Sequence, residues 1–349
     1  MDVYEVRREV DAVLEEFFTA KKIATEHSEL RDLTDMLREF IAEGKRLRPL
    51  LCAVGWLAVG GTGDRDVLLR VAACLELFHS FALIHDDVMD RSATRRGRPT
   101  VHRALADRHP AAEEPGRCER FGENAAILLG DLALVWSDEL LLGGHMTRDQ
   151  SLAVLPLVAE MRTELMLGQY LDLCATGELT ADVQATLQVN RFKTAKYTIE
   201  RPLHIGAALA GGGAEAMDAF SRYALPLGEA FQLRDDLLGV YGDPRVTGKS
   251  RLDDLREGKR TTLLALALGA ANPRQAARLR ALVGQPDLDE AGGEEIRSVF
   301  AATGARPAVE RMITDRRDRA VRALEASPFT PQAIRVLADI AVTATVRNS

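Results

Sequence analysis

Residues 83–99 read LIHDDVMDRSATRRGRP, which places Asp86, Asp87 and Asp90 within one short stretch and Arg95 and Arg96 directly after it. The preceding VLLRVAACLELFHSFALI has apolar residues at helical spacing, so the acids close a core helix. Helix positions four apart differ by about 40° and three apart by about 60°, so the three carboxylates can share one face. Unpaired, they repel one another. A hard divalent cation removes that repulsion, and Mg²⁺ suits a few carboxylates completed by water and substrate phosphate oxygens. For such a motif standing alone, a solvated acidic helix end is the plain alternative.

Outward from this stretch the periodicity stays helical. Val3, Val6, Val10, Val13 and Phe17 form one stripe, and Leu33, Met36, Leu37, Phe40 and Ile41 a second. Pro49 suits the first turn of a helix through LLCAVGWLAV, with Gly60 and Gly61 just past its end. That helix is apolar nearly all round, as in the centre of a bundle or at a subunit interface. No alternating strand is evident. Breaks at 107–117, 242–250 and 284–293 are rich in Gly, Pro and charge, but none reads as a domain linker. The expectation is an all-α fold, one large helical bundle and one domain over residues 1–349.

Composition narrows the function classes. An apolar fraction of 46% and a charged fraction of 28% exclude a disordered or fibrous chain. The net charge of −7 argues against nucleic-acid partners and attraction to anionic membranes, so an anionic ligand needs local cations or a metal. Cys52, Cys74, Cys118 and Cys174 show no paired spacing and read as reduced thiols, with Cys52 and Cys74 in the core. The N-terminus has no apolar leader, and no apolar run approaches the roughly 20 residues needed to span a bilayer, so no stable membrane insertion and a cytoplasmic location are expected.

A second carboxylate pair, Asp235 and Asp236, lies in FQLRDDLLGVYGD, again near a helix end. Gly239 stands where this motif would carry a further acid, and Asp243 lies about 10 Å further along the helix. Cations alternate with the acids: Lys45, Arg46 and Arg48 in GKRLRP, Arg95 and Arg96, then Lys249, Lys259 and Arg260. Arg grips phosphate with a bidentate fork and Lys as a point charge. Metal-binding acids with phosphate-binding bases imply two phosphorylated ligands. His79, one near-integral number of turns before Asp86, reads as a ligand contact, and His85 as structural. Asp253 and Asp254 read as a lid surface feature without metal, and Arg347 as a residue closing the tail.

The series GKRLRP, LELFHSFALIHDDVMDRSATRRGRPTVH, GENAAILLGD, GQYLDL, KTAKYT, FQLRDDLLGVYGDPRVTGK and DDLREGKRT resembles, in order, the motifs of the trans-isoprenyl diphosphate synthases over roughly residues 40–265. The resemblance implies an isoprenoid synthase fold, a homodimer, and head-to-tail condensation of an allylic diphosphate with isopentenyl diphosphate. It implies that Asp86, Asp87, Asp90, Asp235 and Asp236 hold Mg²⁺, about three ions per active site. Arg95, Lys193, Lys249 and Lys259 would contact the allylic diphosphate, while Lys45, Arg48, His79 and Arg96 would hold isopentenyl diphosphate without metal. Gln169, Asp172, Thr194 and Gln232 would line the reacting centre, and the departing diphosphate would take the proton.

The same resemblance places the chain-length floor at Phe81 and Ala82, a pairing that points to geranylgeranyl diphosphate, with farnesyl diphosphate or a longer product as the alternative. Two other classes compete with this reading. A class I terpene cyclase would carry a hydroxyl where Gly239 stands and would leave Lys45, Arg48 and His79 without a substrate. A non-catalytic regulatory subunit sits poorly with intact Asp235 and Asp236.

Overall fold

The computed structural model describes residues 3–23, 28–42, 44–108, 115–175, 177, 179–247 and 250–346. Its contacts gather the chain into two compact units, residues 1–153 with 206–211, and residues 154–205 with 212–349.

The first unit contains α1 (Val3–Ile23), α2 (Ser28–Ala42), α3 (Leu47–Ala58), α4 (Arg65–Met89), a hairpin of β1 (Thr94–Arg95) and β2 (Arg98–Pro99), α5 (Val101–Asp107) and α6 (Pro115–Leu142). The helix α7 (Arg148–Ala175) begins in this unit and continues into the second. The buried face of α1 is Val6, Val10, Leu14 and Phe18. Val6 and Val10 hold from the expected stripe, and its second half is displaced by one position: Val13 and Phe17 flank the core, and Phe17 meets Trp136 edge-on at 5.8 Å.

The α4 helix is the axis of this unit, packed against α6 and α3. It starts at Asp64, whose side chain accepts from the Asp66 N–H, and Leu68, Val71, Leu75, Phe78 and Ile84 are essentially inaccessible. Two sequence expectations are corrected here. By length and composition α4 could cross a bilayer, because Glu76 is the one Asp, Glu, Lys or Arg between Arg70 and Asp86; 72% of its most apolar window is buried in the protein, as in a core helix. The β1–β2 ladder, with Thr94 opposite Pro99 and Arg95 opposite Arg98, is too short to produce a visible alternation.

The second unit contains the rest of α7, α8 (Val183–Asn190), a π-helical segment (Arg191–Glu200), α9 (Arg201–Leu209, whose last turn belongs to the first unit), α10 (Ala214–Tyr241), α11 (Pro244–Thr247), α12 (Asp253–Arg256), α13 (Thr262–Ala270), α14 (Pro273–Leu282), α15 (Glu290–Ala302), α16 (Ala305–Glu325) and α17 (Pro331–Val346). Leu233, Leu237 and Val240 of α10 share one core with Leu252, Leu255, Leu263, Phe300 and Ile313. The α10 helix is also tied to the chain's end, since Arg234 donates to Thr345 O at 2.8 Å and pairs with Glu310 at 2.6 Å. Helix ends fall at all three expected breaks.

Candidate active site

In the first unit the three acids crowd the C-terminal end of α4, with Asp90 as its cap. Negative charge is unfavourable at that end of the helix dipole, so helix stability does not account for the cluster. Asp87 is 1% exposed, and a buried carboxylate has to be paired. Arg95 does this with a fork: Nε donates to Oδ2 and Nη2 to Oδ1, each at 2.7 Å. Asp87 was expected to face a metal; in this arrangement both its oxygens belong to Arg95. Asp86 and Asp90 remain half-exposed, with Asp86 Oδ2 3.9 Å from Arg95.

The hairpin sets this geometry. Arg96 and Gly97 have φ of 53° and 76°, the two positive values of a tight hairpin turn, so Arg96 carries backbone strain of a kind that concentrates at functional sites. Thr100 secures the loop by donating from Oγ1 to Ser92 O at 2.8 Å.

The GKRLRP turn divides its cations. Arg46 (φ 56°) is buried and pairs with Glu76 at 2.9 Å and Asp11 at 2.6 Å, which makes it a structural lock and not a free phosphate grip. Lys45 is exposed and Arg48 buried in the first turn of α3. His79 is pushed well below the usual imidazole range, first by burial and then by Arg48, Arg95, Arg96 and Arg46. Residues from three separate motifs thus converge on one cationic patch, with a neutral imidazole that adds no further repulsion. His85 packs beneath, its Nε2 3.0 Å from Ile127 O. Phe81 is buried, 5.4 Å from the Phe78 ring and 4.6 Å from His85, and Ala82 is half-buried beside it.

In the second unit the π-helical segment carries Lys193 and Thr194, and π geometry is rare and gathers at functional sites. Lys193 Nζ pairs with Asp172 Oδ2 at 2.7 Å. Thr194 Oγ1 donates to Gln232 Oε1 at 2.7 Å, and Gln232 Nε2 donates to Asp236 Oδ1 at 2.8 Å. Asp236 is 3% exposed, and its Oδ2 has no hydrogen-bond partner. Burial pushes its carboxyl up to about 7; Lys259 and Gln232 oppose that rise, while Asp254 and Asp235 add to it. Lys259 is held well above the usual amine range, first by Asp254, and then by Asp236, Asp172 and Asp235 against the cost of burial. Asp235 is exposed, and Gln169 half-buried on α7. Lys249 and Arg347 lie outside the described residues.

Sequence reading missed the polar support behind the π-helical segment. Arg201 Nε donates to Glu164 Oε2 at 2.7 Å, Arg201 Nη2 pairs with Glu160 at 2.7 Å, and Lys196 also binds Glu164. Burial disfavours the Glu164 carboxylate, but hydrogen bonds from Arg201 and Lys196 outweigh it and keep the group below its usual range. A buried Glu inside GQYLDL's helix was the only available signal.

Among the described residues no group of three His, Cys, Asp or Glu side chains could hold a metal unaided. Mg²⁺ does not require such a cage, because one or two carboxylates with water and phosphate oxygens suffice. The donors present are all hard oxygens, and the buried Asp236 Oδ2 without a donor is suited to a cation.

The profile of the family described as "Polyprenyl synthetase" matches residues 31–301. A crystal structure of geranylgeranyl pyrophosphate synthase from Corynebacterium glutamicum, complexed with isoprenyl diphosphate and magnesium, superposes with a TM-score of 0.94 at 39% identity over 99% of each chain. The chain is 35% identical to a geranylfarnesyl diphosphate synthase of Aeropyrum pernix over 237 residues, 67% of this chain and 69% of that one. It is 32% identical to the octaprenyl diphosphate synthase of Escherichia coli over 304 residues, 86% and 85% of the two chains.

Proposed function

Because this chain belongs to the polyprenyl synthetase family and is a trans-prenyltransferase, we propose that it condenses isopentenyl diphosphate head to tail with allylic diphosphates and releases mainly geranylgeranyl diphosphate. The observation that carries the reading is the acid cluster at the wrong end of the α4 dipole, next to the cationic patch of Arg48, Arg95 and Arg96. The family match spans both compact units, which supports one catalytic domain over residues 1–349.

On this reading Asp86, Asp90, Asp235 and Asp236 hold about three Mg²⁺ ions, and Asp87 aims Arg95. When bound, Mg²⁺ supplies positive charge to the diphosphate as the allylic C–O bond breaks. Arg95, Lys193, Lys249 and Lys259 add positive charge at the same group. Lys45, Arg48, Arg96 and neutral His79 hold isopentenyl diphosphate, with His79 offering one ring N–H. Thr194 spends its proton on Gln232, so its lone pairs stay available to the allylic cation, while Asp172 pairs with Lys193 and Gln169 lines the reacting centre. The departing diphosphate accepts the proton that the new carbocation loses. Catalysis is then positioning and electrostatics, without a dedicated side-chain base.

Product length rests on Phe81 and on the 39% identity to a geranylgeranyl pyrophosphate synthase. The geranylfarnesyl and octaprenyl relatives keep a longer product as the second reading. The test is incubation with isopentenyl diphosphate, each allylic diphosphate and Mg²⁺, followed by chromatography of the dephosphorylated alcohols. The wild type is expected to stop at geranylgeraniol, and Phe81→Ala to extend the product by at least one isoprene unit. An unchanged ladder would remove Phe81 from the floor.

A homodimer is part of the same proposal. Phe121, Leu128, Val135 and Leu142 recur every seventh residue on α6 and are 43%, 67%, 60% and 67% exposed, a stripe suited to a twin helix. Sedimentation at micromolar concentration is expected to give twice the 38.2 kDa chain mass, and a monomer would exclude this arrangement.

A further inference from the structure

The second acid motif has Gly239 where a further carboxylate would stand, in the last turn of α10. Glycine in a helix interior costs about 1 kcal/mol relative to alanine, so its presence needs a reason. The reason is Asp254. A Cβ at position 239 would lie 2.1 Å from Asp254 Oδ2 and 3.0 Å from its Cγ, so the Asp254 carboxylate would have to move aside.

We propose that Asp254 is a positioning residue of the second acid motif: it enters from α12 the space that Gly239 leaves open, supplies the carboxylate that position lacks, and holds Lys259 beside Asp235 and Asp236. This overturns the reading of Asp254 as a lid surface feature, since its side chain is only 16% exposed. Its Oδ1 is 3.8 Å from Lys259 Nζ, and the Lys259 N–H donates to Asp254 O at 3.0 Å. Gly258, at φ 68°, makes the turn that brings acid and base to one side. Leu252 and Leu255 anchor α12 in the core that also holds Leu237 and Val240 of α10, so apolar packing sets where the carboxylate arrives. Asp254 acts through Lys259, its ion-pair partner across the Gly258 turn.

The inference rests on the second motif being diphosphate-binding, and the test separates the two. Inorganic pyrophosphate is titrated calorimetrically in the presence of Mg²⁺, KM and kcat are measured for the allylic diphosphate, and melting temperature reports the fold. Asp254→Asn, which keeps the shape, is expected to melt like the wild type, bind pyrophosphate about tenfold more weakly and raise KM more than it lowers kcat. Gly239→Ala is expected to cause a similar loss by displacing the carboxylate. The double variant Gly239→Ala/Asp254→Asn should be no worse than either alone, and Asp254→Asn should add nothing on a Lys259→Ala background. If Gly239→Ala does not fold, Gly239→Ala/Asp254→Gly must, because the colliding carboxylate is gone. Additive losses, unchanged pyrophosphate affinity in Asp254→Asn, or a Gly239→Ala/Asp254→Gly chain that also fails to fold would each overturn the proposal. A wild-type chain that neither binds pyrophosphate with Mg²⁺ nor elongates an allylic diphosphate overturns the functional reading itself.

Discussion

Asp86→Ala is expected to lower Mg²⁺-dependent turnover by about a thousandfold or more while the protein stays folded, since the lost group acts on charge that develops only as the C–O bond breaks. The separation of activity from stability follows from position. Asp86 is 22% exposed, at the negative end of α4 and next to two like charges. Removing it relieves repulsion, so the melting temperature should hold or rise slightly. Asp87→Ala should behave in the opposite way: it strips Arg95 of its bidentate partner and leaves a buried cation, so stability as well as activity should fall. Product formation per enzyme at saturating Mg²⁺, read together with a thermal melt, checks both. An Asp86→Ala protein with near wild-type turnover would remove the metal role.

Asp236→Asn is expected to stabilise the protein by up to about 4 kcal/mol above pH 7, while activity falls steeply. Between about pH 4, where the unfolded carboxyl titrates, and about 7, where the folded one does, the native state binds a proton that the unfolded chain does not. The wild type therefore loses stability as pH rises through that window and gains none back above it. Asparagine has no proton to lose, so its advantage should be absent near pH 4 and complete above 7. Oδ1 still accepts from Gln232, which keeps the Thr194 chain intact. Denaturant midpoints at pH 4 and pH 8 measure the effect. A difference that does not grow with pH would mean that Asp236 is not held protonated by its burial. Stabilisation at the expense of turnover is what a site that stores unfavourable charge for a ligand should show.

The sequence carried what depends on local spacing. The acids of α4, the pair on α10, the helix entering at Leu47 and the order of the cationic turns are all written within windows of a few residues, where helical period and turn chemistry operate. Lys193, Thr194 and Gln232 came from the resemblance to the family's motif series, not from local spacing. The local windows did not distinguish residues of one type within one motif. Arg46 and Arg48 stand two apart, yet Arg46 is spent on Glu76 and Asp11 while Arg48 shares the patch with His79. Asp86 and Asp87 are adjacent, yet one faces outward and the other is taken up by Arg95. Burial decides each case, and burial depends on which helices pack where.

By itself, then, the sequence determined the all-α fold and the two acid motifs, because each follows from residue type at short range, and the order of its motifs along the chain identified the family. Only the tertiary structure decided that Arg95 takes up Asp87, that Glu164 braces the π-helical segment through Arg201, and that Asp254 fills the space beside Gly239 from another helix. Those pairings join residues of different elements. Their partners are chosen by close packing and by the cost of leaving a charge buried alone, neither of which a local pattern can encode.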